Sequence, residues 1–445
     1  PVIVSPIRMV LGSHRWRSVT MAVSSMESRM MEPETTMLTN EEQKKIIYYA
    51  TDEQPTDPGA VTAETPLEYL NLNWRERDLP ERERTKHVHG LHPYLGKFIP
   101  QLVEIFLRKY FRAGETVLDP FAGSGTTLVQ ANELGINAVG YDISAFNTML
   151  IRAKTTRYDL EKVKHEILDI LDRVSEARDG TGGGQLSLFA GADRDVEETT
   201  SDYLRSWFAP QALRTLLVYR ELIREYEYQD ILKVILSRSA RSSRLTTHFD
   251  LDFPKKPVTE PYWCYKHSRV CRPTAESYQF LKRYSLDTIR RLSQFAAVRT
   301  DATTIVRHED SGKADFPPID GVITSPPYVG LIDYHEQHRY AFELLGLPDE
   351  SDAEIGPAYR GSGQRAKEEY REAIAKVVRR AMKAMKPGGH IIIVANDKFG
   401  LYDEIAKMSG AEVEGVVNRH VNRRTGRRAS EFYESVFIWR NPNAS

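Results

Sequence analysis

Cysteine is nearly absent: the 445 residues hold two, Cys264 and Cys271. That is too few for a disulfide scaffold and fits a reducing cytoplasm. Long apolar runs are missing as well; none approaches the roughly 20 residues that a bilayer-crossing helix needs, so no membrane span is expected. Net charge is also lacking, with a formal value of -1, and a chain so balanced exerts no global attraction on a polyanion. The hydrophobic share of 41% and charged share of 28% are those of an ordinary soluble globular protein. The length allows two or three structural units with sizeable cores. Charge is local instead. Arg238, Arg241 and Arg244 form one compact basic cluster, and Arg419, Arg423, Arg424, Arg427 and Arg428 form another. Each reads equally well as a phosphate contact or a solvated loop.

Residues 1–36 carry Arg8, Arg15, Arg17 and Arg29 with no acid before Glu27, a composition shared with transit peptides. The chain begins at Pro1 and offers Met21, Met26, Met30, Met31 and Met37 as later starts. Residues 1–40 are therefore expected to be an unstructured extension without function. Residues 41–86 are polar and show no clear strand. Apolar residues then repeat at helical spacing from Phe98 to Tyr110. A buried strand at Thr116–Leu118, a helix from about Thr126 to Leu134 and a strand at Ala138–Tyr141 follow, the opening of a parallel α/β sheet. The alternation stops at an amphipathic helix over 158–176 and a linker over 178–200 rich in glycine. Residues 203–298 read as mostly helical, with an irregular stretch from Thr246 to Thr274. Strand character returns at Thr303–Val306, Gly321–Thr324, His390–Ala395 and Phe432–Trp439. The resulting expectation is one α/β domain in two halves, 41–157 and 301–445, split by a helical insertion over 158–300.

Two strings carry chemistry. In Val117-Leu-Asp-Pro-Phe-Ala-Gly-Ser-Gly-Thr-Thr127, a strand ends in Asp119-Pro120 and turns through Gly123 and Gly125, where a ligand can approach bare backbone. Thr126 opens a helix whose free N–H groups favour polar or anionic groups. A dinucleotide fingerprint fails at Leu128 and a P-loop fails at Thr126-Thr127, so neither phosphate reading stands. Asp142 ends the next strand about 20 residues beyond the turn, a position that suits a ribose diol better than a simple helix cap. In Thr324-Ser-Pro-Pro-Tyr328, Pro326 and Pro327 stiffen the backbone and leave carbonyl acceptors only. Ser325 adds a hydroxyl and Tyr328 a flat ring. Rigid acceptors beside a ring suit an amino group on a planar heterocycle.

These strings resemble those of the DNA amino-methyltransferases, a likeness that covers His87–Ser144 and Ala302 to about Arg440. It implies a Rossmann-like, S-adenosylmethionine-dependent methyltransferase sheet with a helical insertion. Asp119, Pro120, Phe121, Gly123, Gly125 and Thr126 resemble the family's cofactor motif. His92-Pro-Tyr-Leu-Gly-Lys-Phe-Ile-Pro100 is similar to its methionine-holding segment, which brings in His92, Lys97 and Phe98. Thr324–Tyr328 resembles the catalytic motif in the form associated with cytosine N4; adenine N6 enzymes more often carry Asp or Asn at the position of Ser325. The cofactor segments precede the catalytic motif here, the reverse of many cytosine-N4 members.

The resemblance implies direct methyl transfer to an amino group of a base flipped out of double-stranded DNA. Ser325 Oγ and the Pro326 carbonyl would accept the amino hydrogens, and Tyr328 would stack on the ring. Asp310, with Glu309 as rival, is a candidate for the cofactor adenine, and Asn396-Asp397 is either functional or structural. Arg241, Arg244, Lys255, Lys256, Lys266 and Arg269 in and around the irregular stretch of the insertion, and Arg423, Arg424, Arg427 and Arg428 between the last two strands, are the candidate DNA contacts. Cys264, His267 and Cys271 match no common zinc spacing and show no fourth ligand, so no metal is expected. Gln185-Leu-Ser-Leu-Phe189, inside the linker, is similar to the peptide by which bacterial replication and repair proteins hold the sliding clamp, which brings in Gln185, Leu186, Leu188 and Phe189. The expected setting is the nucleoid of a bacterial or archaeal cytoplasm, within a restriction–modification context. An adenine-N6 enzyme, or a non-catalytic DNA- or clamp-binding protein with a vestigial fold, are the alternatives.

Overall fold

Short apolar runs, three of them closed by Asp or Thr, supply the parallel strands of a mixed sheet. The computed structural model describes residues 46–47, 54–179, 201–251, 254–421 and 432–442. The strands, in chain order, are β1 (Ile46–Ile47), β2 (Thr116–Asp119), β3 (Asn137–Asp142), β4 (Tyr262–Cys264) and β5 (Arg269–Cys271). They continue with β6 (Thr304–His308), β7 (Gly321–Thr324), β8 (His390–Ala395), β9 (Glu412–Val421) and β10 (Phe432–Arg440). The main sheet has the order β1-β9-β10-β8-β7-β2-β3-β6, and β4 pairs with β5 in a separate hairpin. Neighbours from β6 through β3, β2 and β7 to β8 run parallel. β10 runs antiparallel to both β8 and β9.

The order has one consequence for function. The chain steps outward from β2 to β3 to β6, then returns to lay β7 on the other side of β2. Loops leaving β2 and β7 therefore diverge at the carboxyl edge and leave a crevice, the place where open α/β sheets bind ligands.

Helices cover the sheet by burying apolar stripes. In Pro100–Tyr110, Pro100 occupies the first turn, where its missing N–H costs nothing, and Leu102, Val103, Ile105, Phe106 and Leu107 face inward. The helix Ala145–Thr155 starts where the Ser144 hydroxyl accepts from the Asn147 N–H at 3.3 Å. No apolar periodicity marks this second helix in the sequence, because most of its side chains are buried.

The insertion contributes the helices Leu160–Asp179, Asp202–Trp207, Pro210–Leu222, Gln229–Ser243 and Tyr278–Ala296. Ile167, Leu216, Leu232 and Leu281 share one core with Phe146 and Leu150 before the insertion and Tyr340 and Phe342 after it. Two features differ from expectation. A short strand, β1, lies within 41–86 and pairs with β9, and the irregular stretch after Thr246 contains the β4–β5 hairpin. Both elements are two or three residues long, too short to leave an alternation pattern. No helix among the described residues is long and apolar enough to cross a membrane.

Gly125 caps the helix Thr126–Glu133 in the left-handed region, with φ of 77°. A Cβ there would stand 2.9 Å from Ile151 Cγ1. Gly125→Ala is expected to cost about 1–3 kcal/mol through overpacking and the disfavoured backbone. Urea unfolding should show a lower midpoint with an unchanged slope.

Candidate active site

The turn after β2 is built on two buried carboxylates. Asp119 is fully buried; its Oδ1 accepts from the Thr324 hydroxyl at 2.6 Å and from the Phe121 N–H at 3.2 Å. Its Oδ2 is buried without a hydrogen bond. Asp142, at the end of β3, accepts from the Gly123 N–H at 2.8 Å through Oδ2. Its Oδ1 accepts from the Ser144 N–H at 2.8 Å and the Asn147 amide at 3.1 Å. Burial outweighs these donors and pushes both carboxyls up to about 6. Beneath the turn, buried Lys154 donates to the Ser124 carbonyl at 2.5 Å, and burial holds its ammonium well below the usual lysine range.

Above the turn lies a cleft of about 840 Å³, counting its open side. Phe121, Gly123, Thr126 and Asp142 line it from the first motif, and Ser325 and Pro327 from the second. Tyr94, Tyr334 and Glu354 complete its walls. The Tyr94 and Tyr334 rings lie nearly parallel at 6.0 Å between centroids, and the Tyr94 hydroxyl accepts from the Asn147 amide at 3.2 Å. Burial pushes the Glu354 carboxyl up to about 7, although it accepts from the His335 N–H at 3.0 Å. Sequence reading did not single out Tyr94, Tyr334 or Glu354. Tyr94 lay inside the upstream segment, but Tyr334 and Glu354 reach the cleft only through the loop after β7.

The expected site residues divide. Lys97, Phe98, Pro120 and Asp310 line the cleft with those already named. The Lys97 ammonium, however, donates to the His89 carbonyl at 2.8 Å, and the Asp310 carboxylate accepts from the Gly312 N–H at 2.8 Å. His92 does not reach the cleft: it is buried against Phe146 and His338, with Nδ1 2.8 Å from the Pro93 carbonyl. Gly125 serves the turn and its packing on Ile151. Pro326 is buried, facing Ile374 and Val378. Tyr328 is 8% exposed, and its hydroxyl donates to Glu434 Oε1 at 3.1 Å. Glu434 in turn accepts from Arg419 at 2.9 and 2.6 Å across the β9–β10 pair. The ring is thus not presented to the cleft, contrary to the stacking expected of it.

The basic patches also change meaning. Arg244 is buried, donates to the Leu251 carbonyl at 2.6 Å and sits 4.5 Å over the Tyr340 ring. Arg238 pairs with Asp287 at 2.6 Å. Arg241 is half-buried on the same helix. An Arg-rich helix end reads as a phosphate patch in one dimension, but here Arg238 and Arg244 bind partners within the insertion and Arg244 also covers the Tyr340 ring beyond it. Arg423, Arg424, Arg427 and Arg428 lie outside the described residues, as do Gln185, Leu186, Leu188 and Phe189 and the extension 1–40.

Comparison with known proteins shows the family. A family model described as DNA methylase matches residues 22–152, starting within the segment read as an extension. The Type II methyltransferase M.MjaII of Methanocaldococcus jannaschii is 37% identical over 430 residues, covering 81% of each chain. The Type II methyltransferase M.BsoBI of Geobacillus stearothermophilus is 24% identical over 62% of this chain and 56% of its own. M.MvaI of Kocuria varians is 24% identical over 65% and 62%. The chain belongs to the DNA amino-methyltransferase family, on a Rossmann-like methyltransferase sheet, and its cofactor is S-adenosylmethionine. The residues present fit that group: a glycine turn bare of side chains, aromatic walls for a nucleoside, and the carboxyls of Asp142 and Glu354 for its hydroxyls and positive charge.

A folded-state pKa raised above the unfolded value means that folding takes up protons between the two. The contribution of Asp142 is therefore fully present below about pH 4 and is lost as pH rises through about 6. In Asp142→Asn the fall of unfolding free energy across pH 4–6 should be shallower by up to one proton, and S-adenosylmethionine affinity at pH 8 should drop. Urea titrations across that range and calorimetry check both outcomes; an unchanged slope would contradict the burial assigned to Asp142.

Proposed function

We propose that this DNA methyltransferase transfers the methyl group to cytosine N4 of a flipped-out base, as the modification half of a type II restriction–modification system. The observation that carries the proposal is a single cleft lined by both motifs, with Ser325 and Pro327 on the same cavity as Gly123 and Asp142. Ser325, in place of an acid or amide, favours cytosine N4 over adenine N6. That M.MjaII and M.BsoBI are type II methyltransferases supports the biological setting.

Cytosine N4 is conjugated with its ring and is a poor nucleophile. Acceptors at Ser325 Oγ and the Pro326 carbonyl bind its two hydrogens and turn the lone pair away from the ring. When bound, S-adenosylmethionine supplies an electrophilic methyl group on a sulfonium. The protein's part is positioning, which converts an encounter into a near in-line arrangement. Asp119 contributes through Thr324: their hydrogen bond sets the catalytic turn against the glycine turn. Tyr328, tied to Glu434 and Arg419, steadies the same turn from below. The proton leaves N4 after transfer, so no dedicated base is needed.

For the DNA itself, the insertion offers Lys255, Lys256, Lys266 and Arg269, all exposed, beside exposed Trp263 and Tyr265 on and after β4. Cations interleaved with rings suit phosphate contact and base-edge reading, and of the expected recognition residues these exposed ones, without buried Arg244, form the proposed recognition element. The Gln185–Phe189 peptide is proposed, on its sequence alone, to dock on a sliding clamp; tethering would raise the local DNA concentration.

Nucleoside mass spectrometry of methylated DNA should show N4-methylcytosine; N6-methyladenine alone would overturn the base assignment. Ser325→Ala should slow turnover about 10- to 100-fold, the cost of one lost buried hydrogen bond, with S-adenosylmethionine affinity unchanged. Purified clamp should bind the wild type and not the Leu188→Ala, Phe189→Ala variant, and equal binding by both removes the clamp proposal.

A further inference from the structure

His248, Cys264, His267 and Cys271 converge on one point, each offering one ligand atom, with all four atoms within 4.8 Å of one another. Cys264 Sγ lies 3.6 Å from His248 Nδ1 and 3.6 Å from His267 Nδ1, and Cys271 Sγ lies 3.5 Å from His267 Nδ1. Zinc bonds of about 2.3 Å to sulfur and about 2.0–2.1 Å to nitrogen, set tetrahedrally, place sulfur and nitrogen ligands about 3.6 Å apart. The observed separations match that edge. We propose that these four side chains form a structural zinc site, independent of the base assignment above. This corrects the expectation of no metal: the missing fourth ligand is His248, 16 residues before Cys264 and brought alongside it by the fold.

The local backbone is arranged for such a site. In the β4–β5 hairpin Tyr262 pairs with Cys271 and Cys264 with Arg269. Cys264 lies two positions from Tyr262, the direct partner of Cys271, so the two cysteines project from the same face. The His267 N–H donates to the Cys264 carbonyl at 3.2 Å, and Ser268 takes a left-handed φ of 48°. This tight turn folds His267 back over the two thiols. The His248 and His267 rings meet edge to face at 4.6 Å. The Tyr262 hydroxyl accepts from the backbone N–H of His248 at 3.1 Å and so keeps that residue beside the hairpin.

Energetics point the same way. The opposite face of the hairpin carries the Trp263–Val270 pair, 54% and 63% exposed. A two-stranded hairpin of three-residue strands with its apolar face in water is marginal alone. Small elements without a core are commonly held by a metal or a disulfide. Two thiolates and two neutral imidazoles match the charge and softness of Zn²⁺, and binding would release the two thiol protons to solvent. A closed four-ligand site leaves no position for a substrate, so its role is structural. It would pin the hairpin to the residues just beyond the helix Gln229–Ser243.

The test uses the full chain, reconstituted with zinc, desalted and assayed for metal by mass spectrometry. One zinc per chain is expected in the wild type, and substoichiometric zinc in Cys264→Ser, Cys271→Ser and His248→Ala. Cobalt(II) in place of zinc should give the visible bands of a tetrahedral site together with thiolate charge transfer, a readout of the ligands that does not rely on the folding of any variant. Chelation should speed tryptic cleavage at Lys266 and Arg269 while S-adenosylmethionine affinity stays unchanged. Wild-type protein that holds no zinc after reconstitution, or binds cobalt without thiolate charge transfer, overturns the site. Cleavage rates indifferent to chelation overturn its role in holding the hairpin.

Discussion

The hydrogen bond from the Thr324 hydroxyl to Asp119 joins residues 205 positions apart and sets the two halves of the active site against each other. It exists because β7 returns beside β2 rather than extending the sheet beyond β6. Everything that chemistry requires follows from that adjacency. The glycine turn after β2 presents bare backbone, the proline-stiffened turn after β7 presents acceptors, and both face one cleft. Thr127 adds a second tie, donating to the Ile323 carbonyl at 3.3 Å, so the helix that follows the first motif is fixed to the strand that precedes the second.

The floor of the cleft concentrates ionisable groups at low polarity. Asp119 and Asp142 repel one another as well as suffering burial, and both sit at about 6. Glu354, brought in by a later loop, sits at about 7 with burial as its main cause and Asp142 among the charges that raise it. Holding such carboxyls together destabilises the empty fold near neutral pH, and a cationic ligand relieves part of that cost. Buried, perturbed carboxyls gathered in a cleft are what a binding site for a positively charged cofactor requires.

The insertion is joined to the catalytic half through shared core residues and ion pairs, not appended as a separate body. Arg291 donates to the Thr85 and His87 carbonyls at 2.8 and 2.7 Å, and Arg299 to the Thr156 carbonyl at 2.8 Å. These contacts fix the insertion helices to the segment before the helix Pro100–Tyr110 and to the end of the helix Ala145–Thr155. The β4–β5 hairpin projects from that platform with few apolar contacts of its own, which is why its positioning calls for a local tie.

Sequence alone settled the elements whose signals are local. Asp119 to Thr126 declared a ligand turn because glycine at positions 123 and 125 removes side chains where backbone must be reached, and both take positive φ. Thr324–Tyr328 declared rigid acceptors because proline has no N–H. Strand β7 was legible to the residue, since four buried apolar or small residues between turns admit little else. Tertiary structure alone decided which side chains face the cleft. Tyr334 and Glu354 enter it from a loop with no periodicity, His92 and the Tyr328 ring turn away into packed cores, and Arg244 is spent on a carbonyl and a ring. The fourth member of the Cys–His cluster was likewise hidden, because a ligand set is defined by distances in space and the chain between His248 and Cys264 carries no fixed spacing. Direction and proximity are properties of packing, and packing is summed over the whole chain, so no short string of residues contains them.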